Sequence, residues 1–299
     1  MEVTTRLRER FCKDCNIPIN IFHEPYFSER LELYDKYYNT IFKWNLFVEE
    51  LQKYKNEQDY FEEYNRVKDD AINFIKSTES YQRFNNEDMN QYAIVNTGLP
   101  GKNIYHPDND GKTFISIDMK KANFSALRFY NASIFDHKVT WEEFLEKFTD
   151  NNHIIRSKYI RQVILGNCNP KKHITYEKYL MDMILNNLLE FIPLNKIVFF
   201  SNDEIVIENN DNLFENITKR LSHITIPLKV ERFTLNRING TNGYLKTNDN
   251  NVHEFKCLDG LYLPFVIRYL NEEEATENDK VFYHEGLLAK FIEIPEISI

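Results

Sequence analysis

The chain reads Thr113-Phe114-Ile115-Ser116-Ile117-Asp118 directly after the turn residues Asp110-Gly111, and later Ile197-Val198-Phe199-Phe200-Ser201-Asn202-Asp203-Glu204-Ile205-Val206-Ile207. Both stretches read as strands, being short runs rich in Ile, Val and Phe bounded by turn residues. Each delivers a carboxylate to its end. The second is a hairpin-like run with two acids at its apex. Carboxylates crowded at strand ends repel one another, and burying them unpaired costs several kcal/mol. Such a cluster persists where it holds divalent cations. Two metals about 3.5–4 Å apart activate an attacking oxygen and stabilise a leaving one in phosphoryl transfer.

Working outward, residues 120–131 read as a helix with Ala122, Ala126 and Phe129 on a packed face. Thr140-Trp141-Glu142-Glu143 has the outline of a capping box, which starts a helix. Residues 153–165 predict a basic helix ending at Gly166, and residues 176–191 a third. After the hairpin come a helix over 213–221 and strands over 226–233 and 243–246. Upstream, apolar and aromatic residues at three- and four-residue steps over 28–77 predict two or three antiparallel helices, the first broken near Trp44-Asn45. Pro18 and Pro25 bar a long helix in residues 1–30, and residues 90–112 form a turn-rich link. Residues 254–299 read as mixed, with 290–294 helical. A sheet flanked on one side by helices is an α+β layout.

At 299 residues the chain can bury a substantial core and hold one large or two to three small domains. Its net charge of −9 argues against a nonspecific nucleic-acid coat, though it leaves room for a local basic groove. Four cysteines do not make a disulfide scaffold, so a reducing compartment is expected. There is no apolar run of membrane-spanning length and no apolar signal core. The expectation is a soluble, intracellular protein in a cytoplasmic, nuclear or viral setting, with no membrane partner. Phosphate-cradling Gly-rich loops, a dinucleotide fingerprint and a nucleophile elbow are all missing from the sequence. Cys12-Lys13-Asp14-Cys15 has half the spacing of a zinc site, but even with His23 the local sequence does not assemble four ligands.

Lys158 and Arg161 are neighbours on the predicted basic helix, with Arg156 on an adjoining face and the aromatic ring of Tyr159 on the same helix. Asp118 reads alternatively as a helix N-cap after a strand, and Asn202-Asp203-Glu204 as an ordinary solvent-exposed turn.

In order and content these motifs resemble the palm of a template-dependent nucleic-acid polymerase. Phe200-Ser201-Asn202-Asp203-Glu204-Ile205-Val206 is similar to the His-Asp-Glu hairpin of family A DNA polymerases, with Asn202 in place of His. Ser116-Ile117-Asp118-Met119-Lys120-Lys121-Ala122-Asn123-Phe124 is similar to the first metal motif of reverse transcriptases, where Asp-Ile-Lys-Lys and an aromatic are common. The likeness spans residues 113–208. It implies a right-hand α+β fold: a helical thumb-like region over 1–110, a palm over 111–135 and 192–245, a fingers-like insertion over 136–191, and palm-supporting residues 246–299. No exonuclease region is expected.

The resemblance further implies that Asp118 and Asp203 hold two Mg²⁺ ions, Mn²⁺ being an alternative, with Glu204 as the adjacent acid. Arg156, Lys158 and Arg161 would meet a nucleoside triphosphate, and Lys171 and Lys172 would touch template or primer phosphates. Asn123, or Phe124 next to it, would lie under the sugar. The Arg and Lys four apart followed by an aromatic, expected of family A, are not reproduced. The rival readings are another two-metal enzyme, either a nuclease or a non-templated nucleotidyltransferase, and a non-catalytic scaffold binding a partner through its Tyr-rich N-terminal helices.

Overall fold

The two quoted runs pair with each other. The computed structural model describes residues 2–101, 104–210 and 212–299. Strand β1 (Thr113–Met119) lies antiparallel between β3 (Glu204–Glu208) and β4 (Leu228–Arg237). Strand β2 (Ile197–Phe200) completes the hairpin with β3, while β5 (Tyr244–Asn248) and β6 (His253–Lys256) extend the far side. The sheet order is β2-β3-β1-β4-β5-β6. It therefore runs past residue 245, to an edge strand that the sequence does not announce.

Alternation along β1 splits the sheet into two chemically distinct faces. Ile115, Ile117, Ile205 and Ile207 are fully buried on one face, in the same core cluster as Leu127, Leu180, Ile184 and Ile217 from the helices behind them. Each such isoleucine contributes roughly 1.5–3 kcal/mol by leaving water. The opposite face carries Ser116, Asp118, Glu204, Lys229 and Glu231, with a smaller apolar cluster of Phe114, Val206 and Phe233 further along. One face is core and the other presents charge.

The N-terminal region is helical: α1 (Thr5–Cys15), α2 (Tyr26–Tyr38), α3 (Thr40–Leu51), α4 (Glu57–Ser77) and α5 (Glu79–Asn86). Helix α1 fits before Pro18. The expected break near Trp44 falls instead at Asn39, whose φ of 50° ends α2 in the left-handed conformation that Asn tolerates. Between β1 and β2 come α6 (Ala122–Tyr130), α7 (Trp141–Leu145), α8 (Asn152–Arg156), α9 (Lys158–Gly166) and α10 (Pro170–Leu188). The capping box at Thr140 and Glu143 forms as the sequence implies.

The single helix expected over 153–165 is two helices, because Ser157 leaves helical geometry and caps α9 through its hydroxyl, which accepts from the Ile160 amide at 3.0 Å. Helix α10 starts earlier than expected, since Pro170 suits a first turn where no amide donor is needed. After β3 come α11 (Leu213–Leu221), α12 (Leu263–Leu270) and a separate hairpin of β7 (Val281–His284) and β8 (Leu287–Lys290). The helix expected over 290–294 does not form; β8 ends at Lys290 and irregular chain follows.

One core cluster runs from Leu7 to Ile267, so the N-terminal helices, the insertion and the back of the sheet pack together. Asp14 is fully buried where three of these parts meet. It accepts from Tyr64 Oη at 2.8 Å and Ser157 Oγ at 2.9 Å, and its second oxygen lies 3.1 Å from His153 Nε2. Those partners satisfy a carboxylate that would otherwise be costly to bury, and they fix the start of α9. No helix among the described residues is long and apolar enough to cross a membrane.

Candidate active site

Asp118 sits directly opposite Glu204 on β3 and Lys229 on β4. Directly opposed residues of antiparallel strands share a face, so Glu204, Asp118 and Lys229 form a row across the open side of the sheet. The N-cap of α6 is Lys121, at φ 50°, which removes the N-cap reading of Asp118. Ser116 Oγ donates to Glu204 Oε1 at 2.6 Å and holds that acid one step back along β1.

Asp203 lies in the turn between β2 and β3. Its carbonyl accepts from the Met119 amide at 2.8 Å, which pins the hairpin tip to the end of β1. Ser201 Oγ donates to Asp203 Oδ1 at 3.0 Å. Because Asp203 is outside the ladder, its side chain escapes the alternation that would send it behind the sheet. Asp118 and Asp203 line the same groove, of about 430 Å³. Across it stand Asn123 at the start of α6, Lys158 and Arg161 on α9, and Glu177 on α10.

Crowding has a measurable consequence. Burial, then the charges of Glu204 and Asp203, push Asp118 from its ordinary 3.8 up to about 6, while Lys229 and Lys246 pull the other way. Between those two values the folded protein holds a proton that the unfolded chain has released, so stability falls as pH rises through that window. Asp118→Asn is therefore expected to stabilise the metal-free protein above pH 6, by about 1 kcal/mol once solvent screening is discounted. The gain should vanish below pH 4. Urea denaturation in chelator at both pH values checks this, and a destabilised variant at pH 8 would show that Asp118 is not under repulsion.

Arg161 presents cationic character from the opposite wall. Its Nε is buried without a hydrogen-bond partner among the described residues, and burial lowers its hold on the proton, with Glu142 opposing. A buried guanidinium nitrogen with no acceptor suits an incoming anion. Lys158 is exposed at the start of α9, and no ion pair engages it among the described residues. Lys121, by contrast, is already bonded to both oxygens of Glu142, at 2.6 and 2.5 Å.

No protein-family model, curated protein or solved structure matches this chain.

Not every residue singled out from the sequence reaches the groove. Phe124 is buried, with ring centroids 4.7 Å from Phe135 and 5.9 Å from Trp141, because its helical position turns it into the core. Arg156 lies beyond the Ser157 break and lines a separate cavity with Asn39 and Lys43. Lys172 donates to the carbonyls of Asn85 and Glu87 at 2.7 and 2.6 Å, tying α10 to the end of α5, while Lys171 is exposed nearby. Tyr159 lines a different groove, with the Arg10 guanidinium 4.6 Å from its ring centre. Cys12 and Cys15 are free thiols, and burial pushes Cys15 up to about 12.

Two residues escaped the sequence reading. Glu177 is buried in the groove wall and accepts from Asn202 Nδ2 at 2.9 Å; burial and the Asp203 charge push it up to about 7, against that hydrogen bond. Lys229 is the cross-strand neighbour of Asp118 and bonds Glu231 at 2.7 Å. Its signal was present as alternation in Leu228-Lys229-Val230-Glu231, but nothing in the sequence said that this strand would lie beside β1.

Among the described residues no three carboxylate, imidazole or thiolate groups form a ready-made cation cage. Mg²⁺ at phosphoryl-transfer sites is held by one or two carboxylates, with water and substrate phosphates completing the shell. Asp118 and Asp203 fit that demand, since each reaches the groove and their mutual repulsion is relieved by a cation.

Proposed function

We propose that this chain catalyses template-dependent nucleotidyl transfer, with β1–β5 as a palm, α7–α10 as small fingers and the N-terminal helices as a thumb-like region. One observation supports the reading above all others. Asp118 and Asp203, brought from separate strands, line one groove opposite a helix bearing Lys158 and Arg161.

Asp118 and Asp203 would hold the divalent cations, which supply Lewis-acid charge to a primer 3′-hydroxyl and a triphosphate. Lys158 and Arg161 offset phosphate charge, the guanidinium by paired hydrogen bonds. Asn123 faces the sugar, since Phe124 is committed to packing; a small polar residue there leaves space for a 2′-hydroxyl. Glu177 fixes Asn202 and with it the tip that carries Asp203. The new bond joins the 3′-oxygen to the α-phosphorus as the bond to pyrophosphate breaks.

Primer extension crossing DNA and RNA templates with deoxy- and ribonucleotides in Mg²⁺ tests this. Extension only by nucleotides complementary to the template is expected. Degradation of the primer without nucleotides would make the protein a nuclease, and addition without a template a non-templated transferase. No metal-dependent change in the primer would favour a scaffold.

Within the same assay Arg161→Ala should raise KM for nucleotide roughly tenfold to a hundredfold, the worth of a charge-assisted hydrogen bond, with kcat little changed. An unchanged KM would remove Arg161 from the triphosphate.

A further inference from the structure

A second groove, of about 850 Å³, runs between α1, the end of α2, α9 and the edge strand β6. Lys158 and Gln162 line both this groove and the one holding Asp118 and Asp203, so the two meet at α9. We propose that it holds the unpaired single strand of the template on its way to the acidic groove. The proposal rests on the nucleotidyl-transfer reading above and names the partner of that site.

Single strands are held by cations tracking the backbone and by rings on which bases stack. Both are present. Lys13, Lys158 and Lys256 line the groove in a chain that is acidic overall, and Tyr37, Tyr159 and Phe255 are partly exposed along it. Glu9 and Glu254 also line it, but they bond Lys13 at 2.6 Å and Lys256 at 2.8 Å. Phosphate oxygens can take over those lysines, and Lys158, without an ion pair among the described residues, is positioned at the junction. The Arg10 guanidinium fixes the Tyr159 ring from α1. Among the described residues strand β6 pairs with β5 alone, and its four residues line the groove.

A compact ligand needs one pocket of about 300–1,000 Å³. Two grooves joined at a common helix suit a polymer that passes from one to the other.

The test uses the full chain. Fluorescence anisotropy with labelled single-stranded DNA and RNA oligonucleotides is measured against salt for wild type, Lys13→Gln/Lys256→Gln and Tyr159→Leu. The double variant should lose about tenfold in affinity. Its log–log salt slope should become shallower by about 1.4, two phosphate contacts at about 0.7 each. Tyr159→Leu should weaken binding and leave the slope alone. Extension on a one-nucleotide overhang should be unaffected in these variants, while extension on a ten-nucleotide overhang falls.

Template carrying 4-thiothymidine ahead of the primer terminus should cross-link wild-type protein at peptides containing Tyr159 or Lys256, a readout independent of how the variants fold. Unchanged affinity and slope in well-folded variants, or cross-links elsewhere, would overturn the proposal. Binding and cross-linking at these residues without extension would support the groove while removing the transfer reading.

Discussion

Asp203→Asn is expected to abolish metal-dependent nucleotide addition, lowering turnover at least about 10³-fold, while the protein stays folded. The magnitude follows from the several kcal/mol that a correctly placed divalent cation contributes at the transition state, each 1.36 kcal/mol being about tenfold in rate. The fold should tolerate the change because the backbone, not the carboxylate, holds the hairpin tip. The Asp203 carbonyl accepts from Met119, and the Ser201 hydroxyl that bonds Asp203 Oδ1 also accepts from the Glu204 amide at 3.0 Å. Asn keeps the size and one acceptor, so circular dichroism and the melting temperature should match wild type. Retained turnover in a folded variant would exclude Asp203 from the chemistry. Loss of fold together with activity would instead assign it a structural role.

Phe124→Ala is expected to destabilise the protein by about 3–5 kcal/mol, the usual cost of truncating a fully packed aromatic. Its ring lies in edge and tilted contact with Phe135 and Trp141, and Trp141 and Phe135 in turn contact Phe144. Removing it opens a void in the cluster that anchors α6 to α7. Chemical denaturation reads the loss as a lower midpoint at constant slope. The same variant separates two assignments of the sugar-facing residue. If Asn123 meets the ribose, surviving Phe124→Ala protein keeps the wild-type preference between deoxy- and ribonucleotides. A changed preference in Phe124→Ala would return that role to the ring.

How much of this was legible beforehand differs from one element to the next. The runs ending at Asp118 and Asp203 carried their strand character in β-branched and aromatic residues, and the capping box at Thr140 and Glu143 was local chemistry. Strand β6 and helix α12 went unread, because His253-Glu254-Phe255-Lys256 is too short to alternate visibly and α12 begins inside a mixed stretch. The break at Ser157 was missed for a different reason. It is stabilised by Asp14, far away in the chain, which accepts from the Ser157 hydroxyl. That break divides three basic residues that look like one cluster: Arg156 lines one cavity, Arg161 lines the acidic groove, and Lys158 borders both.

Glu177 shows the same limit. On its own helix it is one of two acids, with Asp182, and only the approach of Asn202 marks it as part of the groove.

Alone, the sequence determined which residues favour strand or helix and which carboxylates end a strand, because backbone preference and periodicity act over a few neighbouring positions. Only the tertiary structure decided that Asp118 and Asp203 share a groove, that Phe124 turns inward, and that Lys229 and Glu177 stand beside the acids. Those outcomes depend on strand order, register and helix breaks, which are set by burial and hydrogen bonding between segments that the chain keeps far apart.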